Sequence, residues 1–332
     1  MNMPGKVKYF YELTVASSPH IHSPSRTWKI MGNVLLALLP ALVWAVIVFG
    51  FRALTVAAVS VAGCVFFEWA FRKIRKQDCT VGDLSAAVTG LLLALTCPVT
   101  IPYWIILVGD FFAIVVVKQL FGGIGKNFVN PALAARAFLF SWPVDMTTWA
   151  APWTKPGIIS AADAVTSATP LNSLHTGQLP AESLLDLFLG KTAGSMGEIS
   201  ALLLLIGGLY LVIRRIISLR IPLAFLGTVA ILTFLFPQGN DRLPWMGYQL
   251  LSGGLMLGAW FMATDYVTSP VTGWGKILFG IGCGAITVFI RYFGAYAEGV
   301  SYAILVMNLC VVLLDRVGRP KRFGVEKKEG GK

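Results

Sequence analysis

The chain has 332 residues, of which 56% are apolar and 13% charged, with a formal net charge of +11 and a mean hydropathy of +0.72. A soluble domain carries about 25% charged residues, so an ordinary water-soluble globule is excluded. The basic residues gather in short clusters between apolar runs, which argues for membrane topology and against nucleic-acid binding.

Residues 1–29 form a polar lead with no apolar core, so no cleaved signal peptide is expected. Apolar runs follow with room for about ten transmembrane helices. The first two spans are placed at 30–50 and 53–71, the second ending in the basic cluster Arg72, Lys73, Arg75 and Lys76. Glu68, near the end of that span, reads as a surface carboxylate able to meet those cations. Residues 83–98 read as a helix too short to cross, stopped by Thr96-Cys97-Pro98. Such an interruption must be covered by protein or line a cavity. The fourth span, 103–120, contains Asp110, which at that depth must face the bundle interior and find a partner. A glycine-rich turn and Lys126-Asn127 lead into the fifth span, 128–142, with Asn130, Pro131 and Arg136.

The longest polar interval, 143–198, follows, with a short helix expected at 183–189. Five more spans are placed at 199–213, 222–236, 249–263, 277–292 and 300–314, before a basic tail. The eighth is glycine-rich and stops at Thr264-Asp265, echoing the interrupted third. The expected fold is therefore an all-α polytopic membrane protein of two inverted five-helix repeats, with interrupted third and eighth helices meeting near a pseudo-symmetry axis. In domain terms this gives an N-terminal segment 1–29, a first repeat 30–142, a loop 143–198, a second repeat 199–314 and a tail 315–332. With residue 1 inside, inner segments hold 21 Lys and Arg against 5 in outer segments. Both termini are thus expected in the cytoplasm and the 143–198 loop on the outer face.

Within that loop stands Asp163-Ala164-Val165-Thr166-Ser167-Ala168-Thr169-Pro170-Leu171. Pro170 biases Thr169 towards extended backbone, where its hydroxyl is either presented outward or used in a cap or turn. Residues 163–169 match the pattern D-x-x-[ST]-x-A-T. Together with Ala16-Ser17-Ser18-Pro19-His20, the run GGIGKNFVNPA at 122–132 and Met262-Ala263-Thr264-Asp265, this resembles the RnfD/NqrB family. The resemblance spans about Leu13 to Arg316. Ser167 stands where many members have glycine.

The resemblance implies a flavin transferase that joins FMN through its phosphate to Thr169, with Asp163, Ser167, Ala168 and Pro170 completing the attachment motif. It also implies a non-covalent riboflavin, carried over to Asn127, Asn130 and Asp265; asparagine offers donors and an acceptor to the edge of a flavin ring. The residues read on their own leave capping by Asn127 and a loop carboxylate at Asp265 as the alternative.

No nucleotide-binding glycine motif follows a strand, three dispersed histidines make no metal site, and five scattered cysteines form no C-x-x-C pair. No residue is assigned a catalytic role of its own. The implied function is an electron-relay component of a prokaryotic inner-membrane Rnf complex (with RnfA, RnfB, RnfC, RnfE and RnfG) that couples ferredoxin:NAD electron transfer to Na+ or H+ translocation. The short lead and Ser17-Ser18-Pro19 favour this over the NqrB component of a Na+-translocating NADH:quinone reductase. A solute channel or secondary transporter is the reading from a different class, and a bound flavin separates the two.

Overall fold

A computed structural model describes residues 26–159, 164–239 and 241–317. Among them the chain is helical, and the β-type pairing is an isolated antiparallel bridge between Ala150 and Thr166. Helix α1 (Thr27–Phe49) and α2 (Phe51–Ile74) meet at Gly50, whose φ of +80° lets the chain reverse within one residue. Helix α3 (Ser85–Thr96) packs against both, and all of its residues are buried. At 1.5 Å per residue its 12 residues fall well short of a bilayer.

The open end of α3 is covered by protein. Met196 N–H donates to Cys97 O at 3.2 Å and Gly197 N–H to Leu95 O at 2.7 Å. A Cβ on Gly197 would come 2.7 Å from that of Leu95, so only glycine allows the approach. These bonds satisfy carbonyls that a helix end leaves open, in the place where lipid could not.

Helix α4 (Tyr103–Phe111) continues as a π-helix, Phe112–Gln119. Asp110, just before the change of winding, is fully buried; its Oδ1 accepts from Ser60 Oγ at 2.6 Å and Cys64 Sγ at 3.2 Å, while its Oδ2 has no hydrogen-bond partner among the described residues. Helix α5 (Pro131–Leu139) is shorter than its apolar run because Asn130 caps it and Pro131 takes the first turn. Short helices α6 (Pro143–Thr147), α7 (Pro170–His175) and α8 (Leu184–Leu189) occupy the polar interval, α8 lying where a short helix is expected, with Ser183 as its cap.

Helices α9 (Ala201–Ile213) and α10 (Arg220–Leu235) lie where the apolar runs place them. The next run does not form the single span at 249–263. Helix α11 (Arg242–Leu251) begins earlier and stops at Ser252-Gly253-Gly254. Gly253 there has a φ of +69°. A new helix, α12 (Leu255–Leu257), follows and continues in π form through Gly258–Met262. Arg291 closes the break, donating to Gln249 O and to Ser252 O at 2.9 Å. Helices α13 (Gly273–Phe293) and α14 (Val300–Val317) complete the described chain.

Four of these helices, α1, α2, α13 and α14, are long and apolar enough to cross a membrane. Helix α13 packs tightly on α10 through glycine: a Cβ on Gly280 or Gly284 would stand 2.7 Å from Ala224 Cβ or Thr228 Cβ. Small residues in that register let helices approach where hydrophobic burial offers no driving force between them. Leu36, Leu39, Val43 and Ile47 on α1, with Phe289, Leu309, Val312 and Leu313 on α13 and α14, leave large apolar side chains outward, as a lipid-facing surface does.

Polar contacts bind the helix ends into two groups. At one end Asn33 meets Tyr210 (2.7 Å), Arg72 meets Gln119 (3.0 Å) and Asp315 accepts from Val271 N–H (3.0 Å). At the other, Arg52 reaches Gly157 O (3.0 Å) and His175 reaches Arg291 O (2.9 Å).

Candidate functional site: two cavities at opposite ends

One cavity, about 390 Å³, lies at the second of these ends and is bordered by Ser167, Ala168, Thr169 and Pro170. The segment around Thr166 is pinned by two backbone bonds beside the Ala150–Thr166 bridge: Ala151 N–H to Val165 O (2.8 Å) and Ser167 N–H to Trp149 O (3.0 Å). Thr169 is extended, with φ −83° and ψ 151°, and is the N-cap of α7. Its Oγ1 accepts from Asn172 N–H at 3.3 Å while Pro170 occupies the first turn. The cap and the presented hydroxyl are therefore one arrangement: the backbone that Pro170 imposes holds half-buried Thr169 at the rim of the cavity. Thr166 is exposed and does not border it, whereas Ser167 does. Asp163 lies outside the described residues.

Trp149, Phe140, Tyr296 and His175 wall this cavity, and Glu198, Glu298 and Ser252 reach its floor. Arg136 bridges the two carboxylates, donating from Nη1 to Glu198 at 3.2 Å and from Nη2 to Glu298. Sequence reasoning singled out Arg136 but neither glutamate. The available signal was the cation itself, since a charge in a span requires a partner.

The second cavity lies at the opposite end and holds about 90 Å³. It brings Asn127, Asn130 and Asp265 together, though 138 residues separate the first from the last in sequence. Asn130 is already engaged: its Oδ1 accepts from Ala132 N–H (3.0 Å) and its Nδ2 donates to Met262 O (3.3 Å). Helix capping thus falls to Asn130 rather than to Asn127, whose Nδ2 donates to Val129 O at 3.1 Å. Asp265 accepts from Thr268 Oγ1 at 3.0 Å. In the adjoining loop burial pushes the Tyr266 phenol above its usual range, and its hydroxyl donates to Ile216 O.

Lys118 forms one wall of this cavity and pairs with Glu68 at 2.9 Å. Glu68 is 1% exposed and also accepts from Thr80 Oγ1 (2.6 Å) and Gln119 Nε2 (2.9 Å). This corrects the reading of Glu68 as a surface carboxylate. Four residues along the chain from Arg72, it turns inward because a buried lysine and glutamine await it.

A polytopic helical protein with an interrupted, protein-covered helix in each half and a cavity towards each end belongs to the class of integral membrane proteins with sites built between broken helices. More particularly, residues 14–324 match the model of the NQR2, RnfD, RnfE family, and the chain belongs to that family. It is 51% identical over 321 residues to the D component of the Na(+)-translocating ferredoxin:NAD(+) oxidoreductase complex of Acetobacterium woodii, covering 95% of this chain and 96% of that protein. It is 42% identical to the D component of the proton-translocating ferredoxin:NAD(+) oxidoreductase complex of Clostridium ljungdahlii, covering 95% and 97%. The D component of the ion-translocating oxidoreductase complex of Stutzerimonas stutzeri is also 42% identical, with coverage of 89% and 92%.

Proposed function

We propose that this chain is the flavin-carrying membrane subunit of an Rnf-type ferredoxin:NAD oxidoreductase, with FMN joined through its phosphate to Thr169. The observation that carries the reading is the position of that hydroxyl, fixed by Pro170 at the rim of a cavity of about 390 Å³. That volume falls in the range of ordinary ligand pockets, and aromatic walls with a few polar groups suit a flat heteroaromatic ring. FMN supplies electron-transfer chemistry that side chains lack. Thr169 would tether it, and Trp149 and Tyr296 are aromatic residues of the lining that would border the ring. The names borne by the relatives support the ferredoxin:NAD branch over the quinone-reductase branch.

In this reading the chain crosses the prokaryotic inner membrane about ten times, in two inverted five-helix repeats. Both termini are cytoplasmic, Thr169 faces outward, and RnfA, RnfB, RnfC, RnfE and RnfG complete a complex that translocates Na+ or H+. A flavin transferase acts on the outer loop. Riboflavin is assigned to the opposite cavity, where Asn127, Asn130 and Asp265 converge. At about 90 Å³ that cavity must widen to admit a flavin ring.

The test is denaturing gel fluorescence of chains expressed with the transferase. Thr166→Val and Ser167→Ala keep the in-gel flavin signal, and Thr169→Val loses it while still inserting, since a lost cap costs only about 1 kcal/mol. Persistent fluorescence in Thr169→Val, or none in the unaltered chain, refutes the attachment.

A further inference from the structure

The floor of the Thr169 cavity contains a charge cluster whose polar atoms are only partly used. Arg136, 2% exposed, is the guanidinium that both Glu198 and Glu298 contact. Their side chains are 6% and 13% exposed, so two carboxylates share one cation in a nearly dry site. The neighbouring cation, Arg291, donates to the carbonyls of Gln249 and Ser252 and to Gln249 Oε1, so its charge faces the two glutamates without a hydrogen bond to either. Glu298 Oε1 is buried with no hydrogen-bond partner among the described residues. The same holds for the hydroxyl of Ser252, which is 3% exposed and lines the same cavity.

Gly254 marks where the two carboxylates converge. A Cβ there would stand 2.5 Å from Oε1 of Glu198 and 2.5 Å from Oε1 of Glu298. The two oxygens are therefore no further apart than twice that distance, and any side chain at 254 would displace them. Carboxylate oxygens withdrawn from water without a donor must be neutralised. A hard oxygen set that opens on a cavity suits a proton or a small hard cation.

We propose that Glu198 and Glu298, together with Ser252 Oγ, form a site for one monovalent cation, H+ or Na+, on the floor of the Thr169 cavity. A proton converts the orphaned acceptor Oε1 of Glu298 into a donor. Na+ instead takes carboxylate oxygen, the Ser252 hydroxyl and water from the cavity. The other titratable or charged groups facing the cluster are Arg136 on α5, Cys97 after α3, His175 on α7, Arg291 on α13, Tyr296 and, on α14, Tyr302. Of these, Arg136 and Arg291 carry fixed positive charge, and the His175 ring is held at Arg291 O.

This assignment stands on the chain's own side chains and holds with or without a flavin. The test is therefore made on the full chain bearing Thr169→Val, so that its failure is separate from failure of the attachment reading. Thermal unfolding in detergent is followed against NaCl at fixed pH, with choline chloride as the control salt, and against pH without Na+. A cation bound only by the folded state raises Tm as its concentration rises. Part of the response to Na+ or to falling pH is expected to vanish in Glu298→Gln. That variant at high pH without Na+ should also be at least as stable as its parent, because the amide imitates the neutralised form. Lower stability with the parent's full response to both cations would mean a purely structural ion pair and overturn the proposal. Ser252→Ala decides the source. It requires roughly tenfold more Na+ for the same shift if Na+ is the occupant, and it leaves the Na+ curve unmoved if the occupant is a proton. Should Glu298→Gln fail to fold, Glu198→Gln serves instead, and an undiminished response to both cations there overturns the site equally.

Discussion

Replacing Lys118 by Met tests whether the buried pair beside the Asn127–Asn130–Asp265 cavity is held by charge. Lys118 and Glu68 are 4% and 1% exposed and 2.9 Å apart, so neither can exchange its partner for water. Removing the ammonium leaves Glu68 with two neutral donors, Thr80 Oγ1 and Gln119 Nε2. Stranding a buried charge in this way costs about 3–5 kcal/mol, whereas removing both charges together is often near neutral. The expected result is a strongly destabilised Lys118→Met and recovery of most of that loss in Glu68→Leu/Lys118→Met. Ser85 Oγ also loses Lys118, its contact at 2.6 Å, but it keeps Asp83 Oδ1 at 2.5 Å, so this adds little. The assay is equilibrium unfolding of the detergent-solubilised chain by SDS, with all four corners of the cycle measured. A double variant no better than Lys118→Met, or a single variant that unfolds like the parent, would refute the account of Glu68 as a desolvated anion.

Asn130→Asp keeps the acceptor that caps α5 and loses the donor to Met262 O, whereas Asn130→Ala loses both. Alanine is expected to cost about 1–2 kcal/mol from the cap alone and aspartate more, because its carboxylate would be buried against Met262 O, read by the same unfolding assay. If the residue also cradles riboflavin, acid-extractable flavin falls in Asn130→Leu while covalent flavin persists. Gly284→Leu forces α13 off α10 and should cost at least the ~1–3 kcal/mol of an overpacked core; unchanged thermal stability would contradict the close approach. A reporter inserted near Gly177 should be active on the outer face and one after Lys332 in the cytoplasm, and activity of both on one face overturns the assigned sidedness.

Much of the fold was legible because apolar length and its terminators act locally. Cys97-Pro98 ends α3, Ser183 caps α8, and Pro170 with Thr169 sets a helix entry that the motif alone would suggest. The division of α11 from α12 was not legible, because Ser252-Gly253-Gly254 tolerates either a helix or a break. The decision belongs to Arg291, 38 residues on. The π windings at Phe112–Gln119 and Gly258–Met262 depend on which neighbours fill each turn, and periodicity averages that away. Asp110 was readable as buried, since an acid inside an apolar run has few places to go. Glu198 and Glu298 were not, because each lies in a polar connection where a carboxylate is ordinary, and only tertiary packing turns both onto Arg136.

The clasp of Met196 and Gly197 on the end of α3 places a constraint on biogenesis. The carbonyls of Leu95 and Cys97 must wait for partners that emerge roughly a hundred residues later, several seconds of synthesis at ~5–20 residues per second. Until then the first half of the chain has a half-finished helix that bare lipid cannot accept. It must be sheltered by the insertion machinery or remain near the interface. The 143–198 loop is consequently a late fastening for the membrane core as well as the bearer of Thr169. Shortening it between Gly177 and Gly190 should cause misinsertion of the first half, a defect that appears far upstream of the change.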